Sequence, residues 1–248
     1  RKLCKIISQI KKGNKMKKIF TTILIAMLPA SISAIGGLGL QFGQGMVTVG
    51  ATESNKDLMF YETVVGTATM TTTEFSNPYV IGGYIYIDAI PFIDLEADIN
   101  IVGQKYDFGF NNPIAIGPYE FGWASSSAYL TIRKTAFKLG IPILAKAKLF
   151  YGGGYNQHMA TPLMTIDLME EMMGGDLGAN PTDISEEDLI EFLDENKIES
   201  SGIHVQAGLQ FKVLMLDSFL FYRHTFAKDL VPDADAFGSI NLRLGFGI

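Results

Sequence analysis

The sequence predicts an all-β chain: an antiparallel transmembrane β-barrel of eight strands, with ten the alternative, carrying a partly helical extracellular loop. Three observations predict it. Segments alternating apolar and polar residues recur along the chain. The joins between them alternate short and long. Beyond the N-terminal region, no apolar run is long enough for a membrane-spanning helix, so membrane residence must use strands that close on themselves.

The front of the chain is read separately. Residues 1–15, beginning with Arg1, look like translated upstream sequence, and Met16-Lys17-Lys18 opens a standard export signal. A basic start, the apolar run Ile19 to Leu28, Pro29 and small residues from Ala30 to Ala34 place cleavage after Ala34. The alternative is an N-terminal anchor, but the run falls well short of the roughly 20 residues that span a bilayer. The expected organisation is therefore an upstream segment 1–15, a signal peptide 16–34 and a barrel 35–248. Cys4 is the single cysteine, so residues 35–248 can hold neither a disulfide framework nor thiol chemistry, nor the lipid of a lipoprotein. All 26 acidic residues follow Ala34, but only 12 of the 20 Lys/Arg do, which gives 35–248 a net charge of −14. Binding of duplex nucleic acid needs clustered Lys/Arg and is excluded as a function class.

The alternation is clearest from Phe92 to Gln104. Asp94, Glu96, Asp98 and Asn100 share one face, and Leu95, Ala97, Ile99 and Ile101 the other. From Gly202 to Val213, His204, Gln206, Gln210 and Lys212 oppose Ile203, Val205, Ala207, Leu209 and Phe211. Strands are expected at 77–88, 92–106, 124–135, 141–156, 202–213, 217–227 and 237–248. Tight joins then fall at Ala89–Pro91, Ala136–Gly140 and Leu214–Leu216, and long ones at 107–123, 157–201 and 228–236. Short joins on the periplasmic side put the final strand's end there. Residues 35–76 must add an odd number of strands. One strand over 38–50 followed by a long loop gives eight; two more around 59–65 and 67–75 give ten. The Thr-, Ser- and Glu-rich stretch 51–76 lacks clean alternation, which favours eight.

The last strand is apolar at its final residue and at every second residue before it: Ile248, Phe246, Leu244, Leu242 and Ile240. Together with the export signal, this tail resembles the small outer-membrane β-barrel proteins of Gram-negative-type bacteria, with Ile248 in place of the usual terminal aromatic. The resemblance implies a bacterial outer-membrane location, contact with outer-membrane lipid, and a C-terminal assembly signal read by the barrel-assembly machinery. Alternation alone fits a soluble barrel binding an apolar ligand equally well. Aromatics near strand ends, such as Tyr79, Tyr119, Trp123 and Tyr155, favour the membrane.

The polar face carries Asp94, Glu96, Asp98, Lys146, Lys148, His204, Lys212, Arg223 and Arg243. An eight-stranded barrel is just wide enough for side chains to fill, so these charges must pair into a lumen plug. A gated ion path, making the protein a small-solute pore, needs a wider or mobile interior. No enzyme activity, cofactor or metal site is expected. His204, His224 (beside Tyr222, towards lipid) and His158 (opening the long loop) lack a recognisable serine-plus-acid or zinc pattern. The loop 157–201 is the most distinctive segment. Thr161-Pro162 reads as the start of a Met-rich helix to Met173, ended by Gly174-Gly175, and Ser185 caps a second to about Asn196. Between 158 and 201 there are 12 acidic residues and one basic, Lys197. The loop is either a self-packed helical hairpin with solvated carboxylates, or a Met-lined lid or surface for a partner.

Overall fold

The computed structural model describes residues 36–88, 93–113, 117–141, 145–179, 186–232 and 234–247. The expected upstream segment and signal peptide lie outside these, as do Ile248 and Ser185. Eight antiparallel strands form the ring: β1 (Gly36–Met46), β6 (Tyr79–Ile87), β7 (Asp94–Asn111), β8 (Tyr119–Ile141), β9 (Ala145–Ala160), β10 (Ile198–Val213), β11 (Leu216–Val231) and β12 (Ala234–Gly247). Each pairs with the next, β1 pairs with both β6 and β12, and the ring is closed.

The register sets the bore. From Gly36 the partners run through Ile87, Leu95, Ile132, Gly153, Val205, His224 and Gly238 back to β1 at Met46. One circuit thus climbs ten residues, from 36 to 46. For eight strands ~4.8 Å apart rising ~3.3 Å per residue, that shear gives a tilt of roughly 40° and a radius of roughly 8 Å. Such a tube is filled by its own side chains. Bulky groups from β6, β8, β11 and β12 take most of the space, and β1 accommodates them by turning Gly37, Gly39 and Gly43 inward while Leu38, Leu40 and Phe42 face out. At Gly82 of β6 a β-carbon would stand 2.1 Å from the Ile99 carbonyl oxygen and 2.4 Å from Asn100 Oδ1.

Inward and outward faces exchange polarity along the strands. In the lower half, the end holding Gly36 and Gly247, β7 points Glu96, Asp98 and Asn100 inward and Ile99 and Ile101 outward. Higher up, with the same parity, Tyr106, Phe108 and Phe110 point inward and Lys105 and Asp107 outward. This explains why several strands outrun their expected ends. A reading that looks for polar-in, apolar-out residues stops where the pattern inverts, so 107–123 shrinks to a join at 112–118. The expected long join 228–236 is mostly strand, β11 running to Val231 and β12 starting at Ala234, with a register shift between Phe226 and Val231. Ala136–Gly140 is strand too, with β8 running to Ile141 and β9 starting at Ala145.

The stretch 51–76 is not an open loop. It forms the hairpin β3 (Thr52–Phe60) and β4 (Thr63–Thr72), turned by Tyr61 and Glu62, both left-handed (φ 45° and 64°). Only Thr69–Thr72 of β4 pairs with the top of β7, so the hairpin stands on the upper rim and the ring stays at eight. Two residues each of β2 (Thr48–Val49) and β5 (Phe75–Ser76) close its base. In the long loop, α1 (Ile166–Met172) starts later than expected and α2 spans Glu186–Glu195. Thr161 cannot cap α1, because its backbone N–H and its hydroxyl both bond the Ala124 carbonyl and extend the β8 edge. Thr165 caps instead, accepting from Leu168 N at 3.2 Å, and Gly174 and Gly175 (φ 68° and 89°) end the helix as expected.

Gly82→Val is expected to destabilise the barrel by about 1–3 kcal/mol, because the added atoms meet the β7 backbone and the hydrogen-bonded Asn100 side chain. Urea unfolding of the refolded protein measures this, and an unchanged midpoint would show that β6 and β7 can separate at no cost.

Candidate functional site

The lower half of the lumen is an ion cluster. Asp98 of β7 accepts from Nη1 and Nη2 of Arg223 (2.9 and 2.7 Å) and from Nη2 of Arg243 (2.7 Å). Glu96, two residues below on the same face, accepts from Gln206 (2.9 Å) and Arg133 (3.3 Å). Arg243 Nη1 lies 2.7 Å from Glu96 Oε1, an ion-pair contact off the hydrogen-bond direction. Arg133 also reaches Asp88 and Asp94 (3.4 Å each), and Lys148 pairs with Asp88 at 3.1 Å. Gln41, from the glycine-lined β1, accepts from Arg243 Nε and donates to Asn100. The linked set is four carboxylates (Asp88, Asp94, Glu96, Asp98) and four cations (Arg133, Lys148, Arg223, Arg243), so it is neutral.

Aromatic rings take up the remaining space. Arg223 lies 3.9 Å from the Tyr129 ring centroid, Arg243 4.5 Å from that of Phe221, and Arg133 5.0 Å from those of both Phe150 and Phe219. A delocalised guanidinium can be paired at its edge and stacked on its face at once, which a lysine cannot match. All three arginines, with Glu96 and Asp98, are at most 1% exposed.

The expected lumen set divides. Glu96, Asp98, Arg223 and Arg243 form the centre, with Asp94 and Lys148 at its lower edge. His204 is buried against them but bonds Thr131 (2.9 Å) instead of a carboxylate. Lys212, half-buried near the lower opening, and Lys146, exposed there, make no ion pair among the described residues. Arg133, Gln41 and Asp88 were missed. Arg133 was legible, since it shares parity with Ser127, Tyr129 and Thr131 in β8. Asp88 and Gln41 reach the cluster only through strand neighbours far away in sequence.

Above the ions the lumen turns apolar and is capped. Trp123, Phe108, Phe110 and Leu230 from the strands, Met70 and Phe75 from the hairpin region, and Met164, Ile166 and Met169 from the long loop form one buried cluster. The Met-rich helix is therefore a lid on the barrel rather than half of a self-packed hairpin. Lys56 of β3 clasps it, bonding Asp167 (3.2 Å) and Glu170. His158 is corrected: it does not open the loop but lies in β9, buried inward, bonding Asn156 at 3.1 Å. Between cap and ions is a cavity of about 30 Å³, bounded by Trp123, Tyr129, His158 and Arg223. His224 is on the outer face, bonded to Tyr222 at 3.1 Å. The His204–Thr131 pair is sealed from substrate, and among the described residues no group of three His, Cys, Asp or Glu side chains could hold a metal.

Known proteins offer likeness of architecture. No family model matches the chain, and no curated protein does. Among solved structures, it is similar to Ail of Yersinia pestis (12% identity, TM-score 0.36, covering 86% of this chain and 99% of that one). It is also similar to the N-terminal barrel domain of OprF (8%, 0.40, 86% and 99%) and to OprG (8%, 0.39, 87% and 94%), both of Pseudomonas aeruginosa. All three are outer-membrane β-barrel proteins of Gram-negative bacteria. Scores this low carry neither family nor activity across, and the closed ring itself defines the fold.

Two outcomes are expected. Asp98→Ala strands two buried guanidinium groups and should cost about 3–5 kcal/mol in urea unfolding, while Asp98→Met combined with Arg223→Met should cost less than the single change. Lys56 titrates above the ordinary lysine range because Glu170 and then Asp167 bond its ammonium. Its clasp on the helix should thus be complete below about pH 10.4 and be lost as pH rises through the raised value. Hydrogen exchange in α1 should accelerate there, and Lys56→Met should show that faster exchange already at neutral pH.

Proposed function

We propose that this chain is a bacterial outer-membrane β-barrel with a non-enzymatic, structural or surface-interaction role and a lumen closed to solutes. The observation that carries the reading is the neutral ion cluster, its centre buried and its lower edge at the opening, inside a ring whose lower outer face is apolar. Leu40, Ile99, Ile132, Val205 and Leu242 on that face are 42–59% exposed. Such a skin costs free energy in water but is at home in lipid. A charged interior of this bore would need free water to conduct, and the carboxylates and guanidinium groups at its centre are instead paired with one another. The joins β6–β7, β8–β9 and β10–β11 and both described chain ends share the lower, periplasmic side, and the cap faces out.

In this reading Ile240, Leu242, Leu244 and Phe246 are lipid-facing positions on β12, the strand that closes the ring against β1. They are thus available from the side for the assembly machinery before closure. The acidic loop 157–201 is the face a partner would meet, and no cofactor is part of the proposal.

The expressed protein is expected in the outer-membrane fraction with heat-modifiable gel mobility, and the refolded protein is expected to leave planar bilayers silent. Reproducible stepwise currents would replace the plugged barrel by a solute pore. Free solubility without detergent would remove the membrane assignment itself.

A further inference from the structure

A second cavity opens outward on the upper rim, separate from the ion cluster. It holds about 500 Å³, within the size range of small-molecule sites. Half-buried Leu163 and Ile198, backed by the buried Trp123 and Leu230, give it an apolar wall, and Asp229 and Asp235 stand at its edge, both exposed. The local backbone builds this pattern. At the register shift of β11, Asp229 takes a left-handed conformation (φ 60°). That turn buries Leu230 and Val231 in succession while leaving the carboxylate outside. A non-glycine residue held there costs free energy, and Asp tolerates it better than most.

Neither carboxylate has an ion-pair partner among the described residues, and Lys197, the one basic residue of 158–201, is committed to Asp194 at 2.8 Å. The neighbouring loop adds further negative charge. An apolar slot edged by two carboxylates without ion-pair partners among the described residues, beside an acidic loop and with exposed Lys228 next to Asp229, complements a molecule that is apolar along its body and cationic at one end. We propose that this groove binds cationic amphiphiles. The apolar body lies against Trp123, Leu163 and Ile198, and the ammonium group sits between Asp229 and Asp235.

Trp123 is the single tryptophan of the chain and forms the wall, so its emission reports occupancy directly. The full-length barrel in phosphatidylcholine nanodiscs would be titrated with octylammonium, octanol and octanoate. The expected result is a saturable change in emission with octylammonium at about tenfold lower concentration than with either other probe. Asp229→Asn with Asp235→Asn should raise the octylammonium midpoint about tenfold and leave the octanol response unchanged. Asn is chosen because it too adopts the left-handed region. If the double variant loses heat-modifiable mobility, Asp235→Asn alone serves, with a smaller shift expected in the same direction. Equal responses to the three probes, a non-saturating response, or a midpoint unmoved by the substitutions would each overturn the proposal. The titration reads the groove alone, so it can fail while the plugged barrel stands, and bilayer currents can appear while it succeeds.

Discussion

A buried charge in a tube of this bore needs a bonded partner, and the lower half of the molecule is arranged around that constraint: ion pairs serve most of these groups, and Asp217 is held by Tyr86 and Gln210 instead. Eight strands with a climb of ten residues leave room for side chains and little more. Three arginines and two carboxylates placed there must neutralise one another, with Asp88, Asp94 and Lys148 completing the balance towards the opening. The guanidinium groups can be packed this densely because their faces rest on Tyr84, Tyr129, Phe150, Phe219 and Phe221 while their edges are bonded. The inward glycines of β1 and Gly82 follow from the same crowding. At these positions a β-carbon would meet the paired neighbouring strand within 3 Å.

A second constraint acts from outside. The strands keep one inward parity from bottom to top, yet the residue types on the two faces change places between Ile101 and Lys105 on β7 and between Leu130 and Glu120 on β8. Below this level the outer face is apolar and polar groups go inside. Above it the outer face is charged, and an ordinary apolar core fills the interior. The barrel thus behaves as two folded units sharing one set of strands, and the cap helix joins the upper one. Its Met164, Ile166 and Met169 enter that core, while the acidic side of α1 is held by Lys56 from the rim hairpin.

The outer groove belongs to this upper unit as well. Trp123 and Leu230 form a wall with the small inner cavity on one side and the groove on the other. The same two side chains that seal the lumen therefore also shape the surface offered to a ligand outside.

What the sequence determined by itself is whatever depends on short-range alternation. The strand set, the inward placement of Glu96, Asp98, Arg223 and Arg243, and the glycine ends of α1 were legible because each is written in residues two apart or in one turn. Strand ends were not, since alternation inverts where the surroundings change, and a polar-in template reads Phe108 or Trp123 as loop. The hairpin of 51–76 escaped for a related reason: it stands outside the ring and needs no two-faced pattern. Tertiary structure alone decided which charges pair. Arg133 meets Asp88 and Glu96, and Gln41 meets Arg243, only because closure and shear bring distant strands to one level. That level is a property of the whole ring, and no single strand encodes it.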